Sequence, residues 1–339
     1  MNSINKPRPL SKGRLGLPQA ITVCVLAGAM LLAIPHRAAA QDNYPSKPIK
    51  IIVPFAAGSA VDTLPRLVAD RLSARWSQPI IVENKPGAAG NIGAEFVSRA
   101  DPDGYTLLSS PPPPLVINQN LYPKLGFDPA AFVPITVIAA APNVLVINPK
   151  VPVNNIQNFI KYARAHPGKL NYASPGNGTT PHLTAELLKM HSGIQIMHVA
   201  YKGGAPAVVD LLAGQVDMMF ANLGDVLPHI KSGKLIALGV GSEMRFPALP
   251  DVPAMAELFP GFVSIAWYAI VAPAKTSPEI AAKLSSAIKD VLQMPEVLAR
   301  LKDMSATPGG GTPAQTATFM KDEAERWGNV ISAAGVKLD

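Results

Sequence analysis

The densest run of reactive and polar residue types is Ser174-Pro175-Gly176-Asn177-Gly178-Thr179-Thr180-Pro181-His182. Ser174 and His182 suggest a nucleophile and its base, but Pro175 follows the serine directly and no G-x-S-x-G turn surrounds it. His182, His191 and His198 are spaced nine and seven apart, which fits no usual zinc arrangement, so each reads as a surface or helix-face histidine and no metal is expected. Gly176-x-Gly178 begins like a dinucleotide turn, but Pro181 stands where the third glycine belongs, and Gly87-Ala88-Ala89-Gly90 also misses that pattern; no cofactor is expected. What remains is anion chemistry. Glycines let backbone approach a ligand closely, hydroxyls donate, and a helix start offers unpaired N–H groups at the positive end of its dipole.

A second segment has the same character: Phe55-Ala56-Ala57-Gly58-Ser59-Ala60-Val61-Asp62 follows a β-branched run and leads into a helical pattern. An ordinary strand-to-helix turn would look the same, with Ser59-x-x-Asp62 as a capping box. Trp267 lies in an apolar run and reads as core, Pro111 to Pro114 as a stiff extended stretch, and Asp101-Pro102-Asp103-Gly104 as a turn.

The elements that position these loops alternate. Strands are expected at 49–53, 79–82 and 105–108, with helices starting near Ser59 and Asn91 between them. After a loop-rich middle, strands at 143–148, 170–173, 195–199, 216–220 and 235–240 alternate with helices at 154–165, 180–191 and 205–212. A long apolar strand at 264–272 returns the chain, and the C-terminal part is helical, with starts at Ser277-Pro278 and Thr312-Pro313. This order predicts an α/β fold with helix-flanked, mostly parallel sheets, whose ligands bind beyond the carboxyl ends of the strands.

Residues 1–40 read as a secretory signal peptide. Lys6, Arg8, Lys12 and Arg14 precede an apolar run from Ala20 to Ile34, and Ala38-Ala39-Ala40 supplies a cleavage site before Gln41. Without this segment the chain has 299 residues, 25 basic against 23 acidic, for a formal charge of +2 instead of +7. The basic excess thus belongs to the export signal, and a nucleic-acid partner is not expected. Cys24, the single cysteine, also lies there, so the exported chain has neither disulfide nor thiolate chemistry. No later stretch is apolar enough over a bilayer's width to insert in a membrane.

Several short segments together resemble one family. Tyr44-Pro45-Ser46-Lys47-Pro48-Ile49, Val53-Pro54-Phe55, Val82-Glu83-Asn84-Lys85-Pro86-Gly87, Gly90-Asn91-Ile92-Gly93 and Asp103-Gly104-Tyr105-Thr106-Leu107-Leu108 are similar to the solute receptors of tripartite tricarboxylate transporters, the Bug/TctC family. So are Leu170-Asn171-Tyr172-Ala173-Ser174, Gly176-Asn177-Gly178-Thr179, Tyr201-Lys202-Gly203 and Leu249-Pro250-Asp251-Val252-Pro253. The resemblance spans the exported chain in order. It implies a type II periplasmic-binding-protein fold: lobe one from 41–142 and 264–339, lobe two from 143–263, with a small carboxylate between them. It implies a periplasmic, non-enzymatic, monomeric receptor that delivers its ligand to membrane transporter subunits. The same complex could instead dock on a signalling receptor, and a hydrolase is a remoter alternative.

For the site, the resemblance implies Phe55, Ala57, Gly58, Ser59, Ala60 and Asp62 from the first loop, with Ser109 and Ser110 beside them. From the second lobe it implies Ser174, Gly176, Asn177, Gly178, Thr179 and Thr180, completed by Tyr201, Lys202, Ala221 and Asn222. Neither main loop contains an arginine, and Lys202 is the nearest candidate cation, so backbone N–H groups and hydroxyls are expected to hold the charge. The chain departs from the family in two places. Ala221 stands where an acid that could answer a ligand amine is frequent, which disfavours an amino-acid ligand. Ser109-Ser110-Pro111 to Pro114 replaces a more polar loop and favours an apolar or aromatic ligand body.

Overall fold

The structure, a computed structural model, describes residues 44–336. The expected export signal at 1–40, with Cys24, lies outside the described residues.

Strand β1 (Ile49–Val53) is buried along almost its whole length, as its β-branched composition requires. Parallel to it on either side run β2 (Ile80–Asn84) and β3 (Thr106–Ser110). Helices α1 (Ala60–Trp76) and α2 (Asn91–Ser98) make the connections.

The middle of the chain is not loop-rich. A 15-residue strand, β4 (Val133–Ile147), occupies it and begins well before the expected start at 143. Pro134 and Pro142 disguise it, because each withholds a ladder donor. The strand accommodates irregularity with register shifts between Pro134 and Thr136 and between Val137 and Ala139.

The chain continues through α3 (Ile156–Ala165), β5 (Asn171–Ser174), α4 (Thr180–Ser192), β6 (Met197–Ala200), α5 (Gly204–Leu212) and β7 (Met218–Asn222). Then come α6 (Leu223–Lys231), β8 (Ile236–Val240), α7 (Met255–Leu258), the return strand β9 (Ile265–Ala272), α8 (Pro278–Leu292), α9 (Pro295–Asp303), the short β10 (Thr307–Pro308) and α10 (Pro313–Ala334). Helix α6 escaped sequence reading because Gly224 and Pro228 interrupt its pattern and no loop separates it from β7.

The main strand order is β2-β1-β3-β9-β4-β7-β5-β6, with β8 and β10 also pairing β4. The outer strands are parallel, whereas every pair involving β4 or β9 is antiparallel. Strand β4 carries both halves: residues 133–142 pair with β9, and residues 143–147 pair with β7.

One core lies under the first half, around Trp267, Trp327, Leu115 and Ile117. Two cores flank the second, one around Phe159, Tyr172 and Phe220 and the other around Val146, Ala207 and Val226. Trp267 is fully buried, and its indole N–H donates to Glu323 at 2.8 Å, so it is core as its strand implied.

The proline run departs from expectation. Pro112 has helical dihedrals and Pro113–Ile117 forms a buried π-type turn. Helix starts leave their first N–H groups unpaired, so consecutive prolines forfeit nothing there, and burial of Leu115, Val116 and Ile117 outweighs the bias of Pro toward extended neighbours.

Candidate functional site

Four helices begin directly at or shortly after strand ends: α1 after β1, α4 after β5, α5 after β6 and α6 after β7. Their N-cap residues are Ser59, Thr179, Gly203 and Asn222, and none makes a side-chain capping hydrogen bond. By contrast α3, α8 and α10 are capped by Asn155, Ser277 and Thr312. Uncapped helix starts thus occur at strand ends where open α/β sheets take ligands, and also at Gly90 and Met294, the N-caps of α2 and α9.

The expected Ser59 and Asp62 capping box does not form. The buried Asp62 carboxylate turns back instead and accepts from Gly58 N–H at 3.3 Å, Arg66 Nε at 3.0 Å and Asn84 Nδ2 at 2.9 Å. Asn84 also donates to the Phe55 carbonyl at 2.9 Å. Burial pushes the Asp62 carboxyl up, but Arg66, Asn84 and the Gly58 N–H together outweigh it and hold the group below the usual carboxylate range. Asp62 therefore braces the loop. Ala57 and Gly58 are exposed, while Ser59 and Ala60 are half-buried.

Phe55 leans toward α2. A Cβ on Gly90, whose φ is +92°, would come within 3.1 Å of the Phe55 ring and 3.0 Å of Pro114. One on Gly93 would come within 2.7 Å of the Pro54 side chain and 2.9 Å of its Cα. The glycines of Gly90-Asn91-Ile92-Gly93 thus permit close approach of helix and loop. Ser109 and Ser110 close β3 and are both buried; the Ser110 hydroxyl donates to the Pro111 carbonyl at 2.9 Å.

The 174–180 loop rests on two stacked imidazoles. His182 and His198 lie with ring centroids 4.1 Å apart, and Tyr172 stacks on His198 at 4.7 Å. Gly178 N–H donates to His182 Nδ1 at 3.1 Å, which fixes the proton of a neutral ring on Nε2. His198 Nε2 shares a 2.7 Å hydrogen bond with the Ser174 hydroxyl. Burial drives both rings down to about 4. His182 is buried on a face of α4, in keeping with the helix-face reading, whereas His198 is half-buried on strand β6 rather than at the surface. Glu186 completes the stack, accepting from Tyr172 at 2.5 Å and from Lys189 at 2.7 Å.

Within that loop both Thr179 donors are occupied: its N–H and its hydroxyl donate to the Gly176 carbonyl at 3.3 and 2.7 Å. Thr180, as the first helical residue, has no intrahelical acceptor for its N–H. Gly176 approaches the 201–203 segment, where a Cβ would meet the Tyr201 carbonyl at 3.3 Å, and Gly203 N–H donates to the Pro175 carbonyl at 3.0 Å. The Tyr201 phenol donates to Asp210 at 2.7 Å. Lys202 is exposed and forms no ion pair among the described residues.

Residues 174–180, 201–203 and 222 thus converge by hydrogen bonds and strand adjacency. The Ala221 side chain does not join them, because it is fully buried in the core beside Val146. A surface recess of about 480 Å³ lined by Ile92, Glu95, Phe96, Arg99 and Ala100 involves none of these loops.

The two halves are hydrogen-bonded to each other at Asn143, Gly241 and Ser264, beside the lobe boundaries at 142/143 and 263/264 that the family resemblance implies. Asn143 N–H donates to the Ser264 carbonyl at 3.0 Å, Gly241 N–H to the Asn143 carbonyl at 2.7 Å, and Ser264 N–H to the Gly241 carbonyl at 2.7 Å. Nothing in the periodicity of these single residues signals such a junction, since strand pairing alone brings them together.

The sequence model described as the tripartite tricarboxylate transporter family receptor matches residues 64–336. The protein BugT of Bordetella pertussis is 39% identical over 300 residues, covering 88% of this chain and 92% of that one. Rpa4515 of Rhodopseudomonas palustris, solved with adipate, superposes with a TM-score of 0.83 at 35% identity, covering 87% of this chain and 100% of that one. MatC (Rpa3494) of the same organism, solved with bound malate, gives 0.79 at 31% identity, covering 85% and 100%.

Proposed function

The chain belongs to the tripartite tricarboxylate transporter receptor family, and from that membership we propose that it takes a small carboxylate into a cleft between two lobes and hands it to a tripartite tricarboxylate-type membrane transporter. Members of this family are periplasmic substrate-binding receptors, not enzymes. No helix among the described residues is long and apolar enough to cross a membrane.

The observation that carries the carboxylate reading is the set of uncapped helix starts at Ser59, Thr179, Gly203 and Asn222. They face the strand-end region without an arginine among their loops. N–H groups fixed by the fold need no reorganisation to receive an anion, and hydrogen bonds to a charged group contribute about 1.5–3 kcal/mol each. Two solved relatives carry adipate and malate, both small dicarboxylates.

In this reading residues 41–142 and 264–339 form one lobe and 143–263 the other, and closure brings Gly58, Ser59 and Ala60 toward Thr180, Gly203 and Asn222. Asp62, Ser174 and Thr179 shape the loops, while Ser109, Ser110 and Phe55 bound the far wall.

A thermal-shift screen of small carboxylic acids against their amides tests the reading. At one hundred times Kd a true ligand adds about 2.7 kcal/mol of stability. Equal shifts from acids and their neutral amides would refute the carboxylate assignment.

A further inference from the structure

The two halves touch at a second place, across the ribbon from Ser264. One edge of β4 is occupied by β9 and then, past Ser264 and Gly241, by β8. The opposite edge carries β10 at Ala139 and Ala140 and β7 from Asn143 to Ile147. Both run antiparallel to β4, so the carboxyl end of β7 points at the start of β10, and only Ala141 and Pro142 separate their pairing. Two short segments crowd into that gap: Leu223-Gly224 from the second half and Met304-Ser305-Ala306 from the first.

Their contact leaves no room for a side chain. A Cβ on Gly224 would run into the Met304 carbonyl oxygen and lie 3.0 Å from its carbon, so only glycine allows this approach. Neither side yields easily. Met304 ends α9, and Ser305 follows it in the left-handed region at a φ of +54°. Ser305 N–H donates to the Lys302 carbonyl and Ala306 N–H to the Leu301 carbonyl, both at 2.9 Å, which is the pairing of a Schellman cap. Ser305 and Ala306 are buried. On the other side β7 passes into α6 without a loop, and Leu223 is fully buried in the core around Val146.

Position decides what such a contact does. It lies at the carboxyl end of β7, the end that open α/β sheets turn toward their ligands, and beside the chain crossing at 142/143. Closure of the proposed lobes therefore presses Gly224 onto Met304, and opening parts them. Next to a pivot, a displacement of one methyl is multiplied at the loops further out. Building on the receptor reading above, we propose that Gly224 against the Met304 carbonyl is the stop that ends lobe closure, so that its bare Cα sets the closed width of the cleft and with it the length of acid that both halves can grip. Gly224 is a positioning residue in this account and acts without touching the ligand.

Calorimetric titration of the full exported protein with straight-chain α,ω-dicarboxylic acids, from succinic to suberic, tests the stop. One methylene in a fitted pocket changes binding by about 10- to 200-fold, so the wild-type profile should peak at one length. Gly224→Ala adds one methyl and favours the helix, so a loss cannot come from helix propensity. It should move the peak to a longer acid, weakening the wild-type favourite about tenfold or more relative to its longer neighbour. Gly328→Ala is the matching control, at a helical glycine of α10 where a Cβ meets nothing nearer than the Asn120 amide at 3.4 Å; its profile should follow the wild type. Melting curves accompany both variants. A Gly224→Ala profile that weakens evenly at every length, or does not change, overturns the stop and leaves the receptor reading standing. A Gly224→Ala protein that does not fold would make the contact permanent packing, which overturns the stop as well. Binding of none of these acids by the wild-type protein overturns both.

Discussion

Asn143 and Ser264, 121 positions apart in the chain, are joined by a buried side-chain hydrogen bond of 2.7 Å where the outgoing strand β4 and the returning strand β9 meet. The Ser264 hydroxyl also contacts the Thr184 hydroxyl, and Thr184 donates to the Thr180 carbonyl at the start of α4. The junction between the halves is thus wired to the first turn of the proposed binding helix. Ser264→Ala leaves Asn143 Nδ2 buried without an acceptor, and denaturant unfolding should register a loss of about 1–3 kcal/mol.

Thr180 tests how charge is held. Proline is tolerated at a first helical position, so Thr180→Pro deletes one N–H and one hydroxyl while sparing the helix. We expect carboxylate affinity to fall about 10- to 150-fold, with Thr180→Ser near wild type and Lys202→Ala costing less than the proline variant. Titration calorimetry decides. Loss of binding in Lys202→Ala with Thr180→Pro intact would mean a cationic clamp.

Acid should loosen the second half. His182 and His198 are held near 4 in the fold against about 6.5 when unfolded, so the unfolded chain takes up their protons first. Their contribution is complete above about pH 6.5 and is lost progressively toward pH 4, at up to roughly 1.4 kcal/mol per pH unit for each ring. Protonated His182 also cannot accept from Gly178. Melting curves between pH 7 and 4.5 should fall, and a His198→Gln variant should show a shallower decline. An unchanged slope in that variant would remove His198 from the account.

Gly93→Ala should destabilise by about 1–3 kcal/mol, because the new methyl meets Pro54 backbone that cannot yield. Gly168→Ala, at a φ of +70° but in open space, isolates the backbone cost from the clash. Thermal unfolding of the pair separates the two effects.

Ligand should close the proposed lobes. Small-angle scattering at saturation is expected to show a smaller radius of gyration than the free protein. Identical profiles would mean a pocket already shut without ligand.

The alternation of strands and helices, and the loops after β1 and β5, were legible because hydrophobic period and glycine-hydroxyl turns are local signals. The long β4 was not, since Pro134 and Pro142 make a strand look like a loop. The turn at Pro113–Ile117 was misread because proline dihedral preference is local and burial is not. The bracing role of Asp62 was not legible, because its partners Arg66 and Asn84 approach only once helix and strand have formed. The stacked pair His182 and His198 belongs to the same class, being 16 residues apart in sequence and 4.1 Å apart between rings.

Because β4 and β9 are hydrogen-bonded neighbours from Val133–Ala272 to Pro142–Ile265, the two threads linking the halves act mechanically as one ribbon. A paired ribbon resists stretching and sliding, since either would break a row of hydrogen bonds at once, but it twists and flexes across its thin direction. The proposed closure of one half on the other would therefore follow the twist and bend of this one ribbon.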